Sequence, residues 1–317
     1  ARLAKIWERV LGIEPISVTD NFFDLGGHSL LAVRLFVKIE RRFARSLPLA
    51  SIFEAPTVEQ LAAMIRAAPS SATSGCLVVL QGEGKKPPLF CLPGLHGHAF
   101  RFRHFARPLG GDQPVYGLQY PGLDGQRAPL TSVEDVAAEL IRHMRQVQPR
   151  GPYYLCGYSF GGLVAYEISR QLTAREQPVA MLAFFDTFAP GLDGKSTRSE
   201  RRVERSDNRP DAGSPLLNWL ERVSMANKQA ADCYLPQPYS GRAILFRAAD
   251  TSDKTSEGSR EVVDPLNGWG EWVRGGLEVH LVPGDHNKIL NKRNIPVLGK
   301  KLRACLREAQ SRQLPVP

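Results

Sequence analysis

Two serines stand where a hydroxyl can do chemistry. The first, Ser29, closes the string Asn21-Phe22-Phe23-Asp24-Leu25-Gly26-Gly27-His28-Ser29-Leu30. Behind it, Leu30, Leu31, Val33, Leu35, Phe36, Val37 and Ile39 recur at helical spacing. Arg34, Lys38, Glu40, Arg41 and Arg42 fill the polar positions. Ser29 therefore lies at or beside a helix N-terminus, where free N–H groups and the positive dipole end favour a phosphate. Gly26 and Gly27 allow a tight turn that leaves the hydroxyl open to a large enzyme. The plain alternative is a serine N-cap. The second serine, Ser159, is centred in Gly157-Tyr158-Ser159-Phe160-Gly161. A short apolar run at 153–156, bounded by Gly151-Pro152, precedes it, and helical periodicity over 163–172 follows.

Strand, sharp turn and helix around a GxSxG string make the nucleophile elbow of α/β-hydrolases, with Ser159 held strained and exposed. A serine nucleophile needs a base and an oxyanion hole, and the hydrolase chain order is Ser, acid, His. His280 alternates with apolar residues and reads as a strand position. His286 follows in the loop Pro283-Gly284-Asp285-His286-Asn287, and loops at strand C-termini are where α/β folds place their chemistry. His286 is the expected base. For the acid, Asp186 ends the apolar run 180–185, and Asp250 follows 244–249 inside a polar run. Asp186 is preferred, then Asp250. Asp285 is third, being too close in sequence to His286 to orient its ring easily. The oxyanion hole should use the N–H of Phe160 and a second donor after an early strand, where Pro87-Pro88-Leu89-Phe90-Cys91-Leu92-Pro93-Gly94-Leu95-His96-Gly97 fits.

The string around Ser29 resembles the core motif of peptidyl carrier proteins from nonribosomal peptide synthetases. The resemblance covers 1–67: residues 6–12 look like that family's first helix, 47–54 like its short third helix, and 55–61 like the start of its fourth. Pro56 and the pair Thr57/Gln60 suit a helix start with a capping box. The resemblance implies 4′-phosphopantetheine on Ser29, with Asp24 and His28 helping a phosphopantetheinyl transferase recognise the site. The elbow half resembles the thioesterases that close such assembly lines. That resemblance implies Leu95 as the second oxyanion donor, and an acid taken from the earlier strand, as at Asp186. Together they imply a carrier–thioesterase didomain, a peptidyl or acyl thioester as substrate, and an acyl-enzyme on Ser159 released by hydrolysis or cyclisation. They also imply upstream condensation and adenylation domains in the same polypeptide. The rivals are a polyketide or hybrid terminus, a catalytically inactive docking module, and an editing thioesterase, which the in-line carrier disfavours.

Composition sets bounds. The chain has 317 residues, 43% of them hydrophobic, which suffices for one or two globular domains. A net charge of +9 raises nucleic acid as a partner. The basic residues are spread over helix faces and the mixed run 195–209, so a solvated surface is expected instead. No run of 18 apolar residues is present, so no membrane partner is expected. Five scattered cysteines, with Cys91 and Cys156 in apolar strands, suit reduced thiols in a cytoplasmic protein. No metal site is expected, since no Cys or carboxylate shares the spacing of His96 and His98. The start without Met, directly in a carrier-like helix, reads as the C-terminal excerpt of a longer polypeptide, with no signal peptide.

The expected architecture is a small helical carrier bundle over 1–67, a linker over 68–76, and an α/β-hydrolase over 77–317. Strands are expected at 77–80, 89–91, 115–118, 153–156, 181–185, 243–246 and 279–282, with helices at 132–148 and 163–172. The linker is small and polar, and about nine residues reach at most about 30 Å. An insertion over about 190–239 breaks the rhythm. Its second part, 215–234, has helical spacing through Leu216, Leu217, Leu220, Val223 and Ala226 and is expected to form a lid.

Overall fold

A computed structural model describes residues 2–45, 47–67, 76–123, 127–190, 215–250 and 264–312. The expected linker, except Cys76, and the first part of the expected lid lie outside the described residues.

Four helices form the N-terminal bundle: α1 (Arg2–Leu11), α2 (Ser29–Phe43), α3 (Ser51–Glu54) and α4 (Val58–Arg66). Trp7 and Phe22 are fully buried at its centre and meet edge to face at 5.3 Å, an arrangement worth about 1 kcal/mol beyond area burial. Phe22 also anchors the loop ahead of Ser29, its N–H donating to the Pro56 carbonyl. A Cβ on Gly27 would overlap the Phe22 ring, so the second glycine is required by close approach. Thr57 and Gln60 form the expected capping box at α4, which contributes about 1 kcal/mol. The third helix is shorter than expected, one turn at Ser51–Glu54, because Pro48 opens a turn whose carbonyl accepts from the Ser51 N–H.

The second layer system is a seven-stranded sheet ordered β1-β3-β2-β4-β5-β6-β7. Its strands are β1 (Leu77–Gln81), β2 (Leu89–Leu92), β3 (Val115–Leu118), β4 (Tyr153–Tyr158), β5 (Val179–Phe185), β6 (Ala243–Ala248) and β7 (Leu277–Val282). Only β1 runs antiparallel. Helices cover both faces, so β2 and β4 are buried along their whole length and read as unbroken apolar runs. Alternation sends Phe90, Leu92 and Leu155 to the core under α5 (Val133–Val147) and α6 (Phe160–Thr173). It sends Leu89, Cys91 and Cys156 to the core under α8 (Ile295–Ser311). This is the α/β-hydrolase fold behind a helical carrier domain. None of the five cysteines is joined in a disulfide. No helix among the described residues is long and apolar enough to cross a membrane.

The segment expected to form a lid contains α7 (Pro215–Cys233); the side chain of Leu216 lies outside the described residues. Its apolar stripe is divided between two partners. Leu217 and Leu220 pack against the carrier core, while Ala230 and Tyr234, just past its end, join the hydrolase core. The Tyr234 hydroxyl donates to buried Glu167 on α6 at 2.8 Å.

Candidate active site

Ser159 sits between the last residue of β4 and the first of α6, with φ 54° and ψ −124°. A non-glycine residue there stores about 1–3 kcal/mol of strain and persists only when its surroundings dictate it. Three glycines permit the turn. A Cβ on Gly157 would strike the Gly161 carbonyl, one on Gly161 the carbonyls of Leu92 and Pro93, and one on Gly162 the Thr187 side chain. The helix therefore starts in close contact with the end of β2. Thr187 Oγ1 in turn donates to the Ser159 carbonyl at 3.1 Å, and Trp269 Nε1 holds the Thr187 carbonyl at 3.0 Å.

His286 and Asp186 reach the same point from separate strand ends. His286 Nε2 lies 3.1 Å from Ser159 Oγ, and His286 Nδ1 lies 2.9 Å from Asp186 Oδ2. Asp186 is 2% exposed, and its Oδ1 accepts the Ala248 N–H at 2.9 Å. One oxygen is thereby held by β6 and the other faces the imidazole. Asp250 makes a backbone bond to Gly284. The Asp285 carboxylate is engaged by the Lys288 N–H and ammonium, while Asp186 holds the histidine. His280 lies on β7, paired with Glu278 at 2.8 Å.

The loop after β2 passes beside the serine. A Cβ on Gly94 would lie 3.6 Å from Ser159 Cβ, which brings Leu95 next to the start of α6, where Phe160 stands. The Leu95 carbonyl accepts from Asn227 of α7 at 2.7 Å, so α7 also holds this loop. Asn227→Ala is expected to slow turnover about five- to thirty-fold, through a loss of about 1–2 kcal/mol, with KM little changed. Steady-state kinetics beside a thermal melt tests this: a fall in melting temperature with unchanged kcat would make Asn227 purely structural.

Sequence reasoning missed two further residues. Tyr158 stacks on His286 at 5.1 Å and donates its hydroxyl to the His286 carbonyl at 3.1 Å. Arg101 lies over the Tyr158 ring at 5.0 Å and donates to the Asn287 carbonyl at 2.9 Å. Together they fasten the histidine loop. Farther along, the His96 and His98 rings stack at 6.1 Å. Burial first, then the charges of His96 and Arg101, pulls the His98 pKa down to about 3, so its ring is neutral near pH 7.

At the other serine, His28 takes the N-cap position and Ser29 is the first residue of α2. The serine N-cap reading therefore fails. No acidic residue occupies the first turn of that helix. Burial, then Arg103 and Arg34, lowers the His28 pKa, which marks a positive neighbourhood contributed by both domains. Asp24 faces His104 electrostatically. Phe23, Phe53 and Phe100 form an aromatic cluster across the two domains, with centroids 4.8–6.2 Å apart.

Sheet order, elbow and converging side chains define a serine α/β-hydrolase carried behind a carrier bundle. Residues 87–304 match the thioesterase domain family, and residues 1–65 match the phosphopantetheine attachment site family. The chain belongs to the thioesterase domain family, with a phosphopantetheine attachment domain ahead of it. Malpinin synthetase from Mortierella alpina is 32% identical over 97% of this chain and 4% of its own length. The dimodular nonribosomal peptide synthase of Bacillus subtilis is 38% identical over 96% of this chain and 14% of its own length. The chain thus spans a small fraction of these relatives. Among solved structures, a holo four-domain nonribosomal peptide synthetase bound to AMP and glycine aligns with a TM-score of 0.63 and 26% identity, over 99% of this chain and 26% of that one. The NocB thioesterase domain, in covalent complex with a fluorophosphonate nocardicin G analog, aligns with a TM-score of 0.58 and 25% identity, over 73% of this chain and 99% of that one.

Proposed function

We propose that this chain releases a finished peptidyl or acyl chain from its own carrier domain in nonribosomal peptide biosynthesis, through an acyl-enzyme on Ser159. The observation that carries the reading is the hydrogen-bonded series Ser159–His286–Asp186, in a chain whose first domain matches a phosphopantetheine attachment site. One relative is named a nonribosomal peptide synthase and one solved neighbour a nonribosomal peptide synthetase, which favours a peptidyl over a polyketide substrate.

The surroundings of Ser29 suit the arm. A first helical residue offers unbonded N–H groups and the positive dipole end to a phosphodiester. Arg34 and Arg103 lie near the adjacent His28. When attached, the arm presents the acyl chain as a thioester. Ser159 Oγ attacks the thioester carbonyl as its proton passes to His286 Nε2. Asp186 keeps the other ring nitrogen protonated and stabilises the imidazolium. The N–H groups of Phe160 and Leu95 receive the oxyanion, worth about 3–4 kcal/mol for each donor. His286 returns the proton to the leaving sulfur. It then takes one from water, or from a hydroxyl or amine of the acyl chain, as that nucleophile attacks the ester carbonyl, and passes it to Ser159 Oγ as the ester bond breaks. The helix α7 covers this second step, where exclusion of water would favour cyclisation. Tethering raises the local thioester concentration to about the millimolar range. The partners that follow are upstream condensation and adenylation domains and a phosphopantetheinyl transferase, in the cytoplasm.

Incubation with coenzyme A and a broad-specificity transferase should add one arm, read by intact mass. Ser29→Ala should abolish the addition while leaving fluorophosphonate labelling of Ser159 intact. An arm retained on the alanine variant would overturn the Ser29 assignment. Mass spectrometry of products from a panel of peptidyl thioesters tests release. If the labelled serine forms no acyl-enzyme with any of them, the release reading fails.

A further inference from the structure

A second group of reactive side chains lies outside the site described above. Glu278, His280 and Val282 alternate onto one face of the edge strand β7. Val282 belongs to the core that α8 covers with Cys305, so Glu278 and His280 face the same helix. The ligating atoms of Glu278, His280 and Cys305 all lie within 4.8 Å of one another. Cys305 Sγ is 3.6 Å from His280 Nε2, which is 2.8 Å from Glu278 Oε1. The imidazole is seated flat on Phe246, with centroids 5.2 Å apart and planes 20° apart.

A glutamate–histidine pair on a surface strand is ordinary and needs no sulfur. The sulfur distance is the informative one. Bonds of about 2.3 Å to sulfur and about 2.0–2.1 Å to nitrogen at a tetrahedral angle place the two ligand atoms about 3.6 Å apart. The site is also graded: Cys305 is buried, His280 is half-buried and Glu278 is exposed. A soft ligand thus sits inside, and a carboxylate stands on the solvent side where an ion enters and water completes the shell. A sulfur–nitrogen–oxygen donor set selects zinc-class ions over calcium or magnesium. We propose that Glu278, His280 and Cys305 form a binding site for a zinc-class divalent cation, with water as fourth ligand. The thiol proton leaves to solvent as the metal–sulfur bond forms. A bound ion would join the edge strand to α8. Because β7 runs directly into the 283–287 loop, it would also steady the segment that carries His286.

The test uses the full chain, stripped with a chelator and titrated with cobalt(II), then with zinc in competition. One equivalent of cobalt should give a thiolate-to-cobalt charge-transfer band together with the visible absorption of tetrahedral cobalt, and zinc should displace both. Cys305→Ser should remove the charge-transfer band. His280→Gln and Glu278→Gln should each weaken zinc binding by more than the about 10- to 100-fold typical of outer-shell partners. Cys233→Ser, at an exposed cysteine, should change nothing. Circular dichroism checks folding; should the Cys305 variant unfold, the half-buried His280 position carries the same discrimination. Absence of the band in the parent protein at saturating cobalt overturns the proposal, as does a band unchanged in the Cys305 or His280 variant.

Discussion

Ser159→Ala will end both fluorophosphonate labelling and thioester turnover, with loss of kcat on the order of 10^6. The size follows from the unit character of the group: once the nucleophile is gone, His286 and Asp186 have no proton to move, and only binding and the oxyanion donors remain. The fold should be indifferent. Ser159 makes its structural contacts through its backbone, with N–H to Phe185 and carbonyl to Gly162 and Thr187, and alanine keeps all of them. Arm attachment at Ser29 should proceed as before, because that reaction uses the other domain. Labelling of the alanine variant at the parent rate would move the nucleophile elsewhere.

Asp186→Asn should cost about 10^4 in kcat, and Asp250→Asn should leave kcat within about two-fold. The amide oxygen can replace Oδ1 in accepting from Ala248, so the side chain stays in place. The amide nitrogen then faces His286 Nδ1 and donates to it. The ring is driven to the tautomer with its proton on Nε2, and that nitrogen can no longer accept from Ser159. Geometry survives and function is lost, which separates an orienting role from a packing role. Steady-state kinetics on both variants decides it: a larger loss at Asp250 would transfer the acid role there.

The strands were legible because helices on both faces make them continuous apolar runs, as at Tyr153–Cys156 and Met181–Phe185. Their ends were less so. Gly157 and Tyr158 read as turn residues, yet they complete β4, since the elbow bends only at Ser159. The α4 capping box was readable as four consecutive residues. By contrast, Tyr158 against His286, Arg101 on Tyr158 and Asn227 on Leu95 join residues separated by 57 to 132 positions, and no local pattern announces such pairs. The stripe of α7 was visible, but its division between carrier and hydrolase depends on where another domain rests. Chain order and strand ends singled out Asp186, Ser159 and His286 as candidates. The distances among them came only from the fold.

The loop after β2 serves two masters within a few residues. Leu95 stands beside Ser159, Arg101 braces the histidine loop, Phe100 packs into the carrier core, and Arg103 lies near His28. Seating of the carrier and readiness of the hydrolase therefore share one piece of backbone. Thermodynamic reciprocity follows wherever two events bias a common element. If a seated carrier favours one arrangement of this loop, then acylation of Ser159, which favours an arrangement of its own, must alter the carrier's affinity by the same factor. In that case the acylated and the free hydrolase would hold the carrier with unequal strength, and the shared loop would be the element through which they differ.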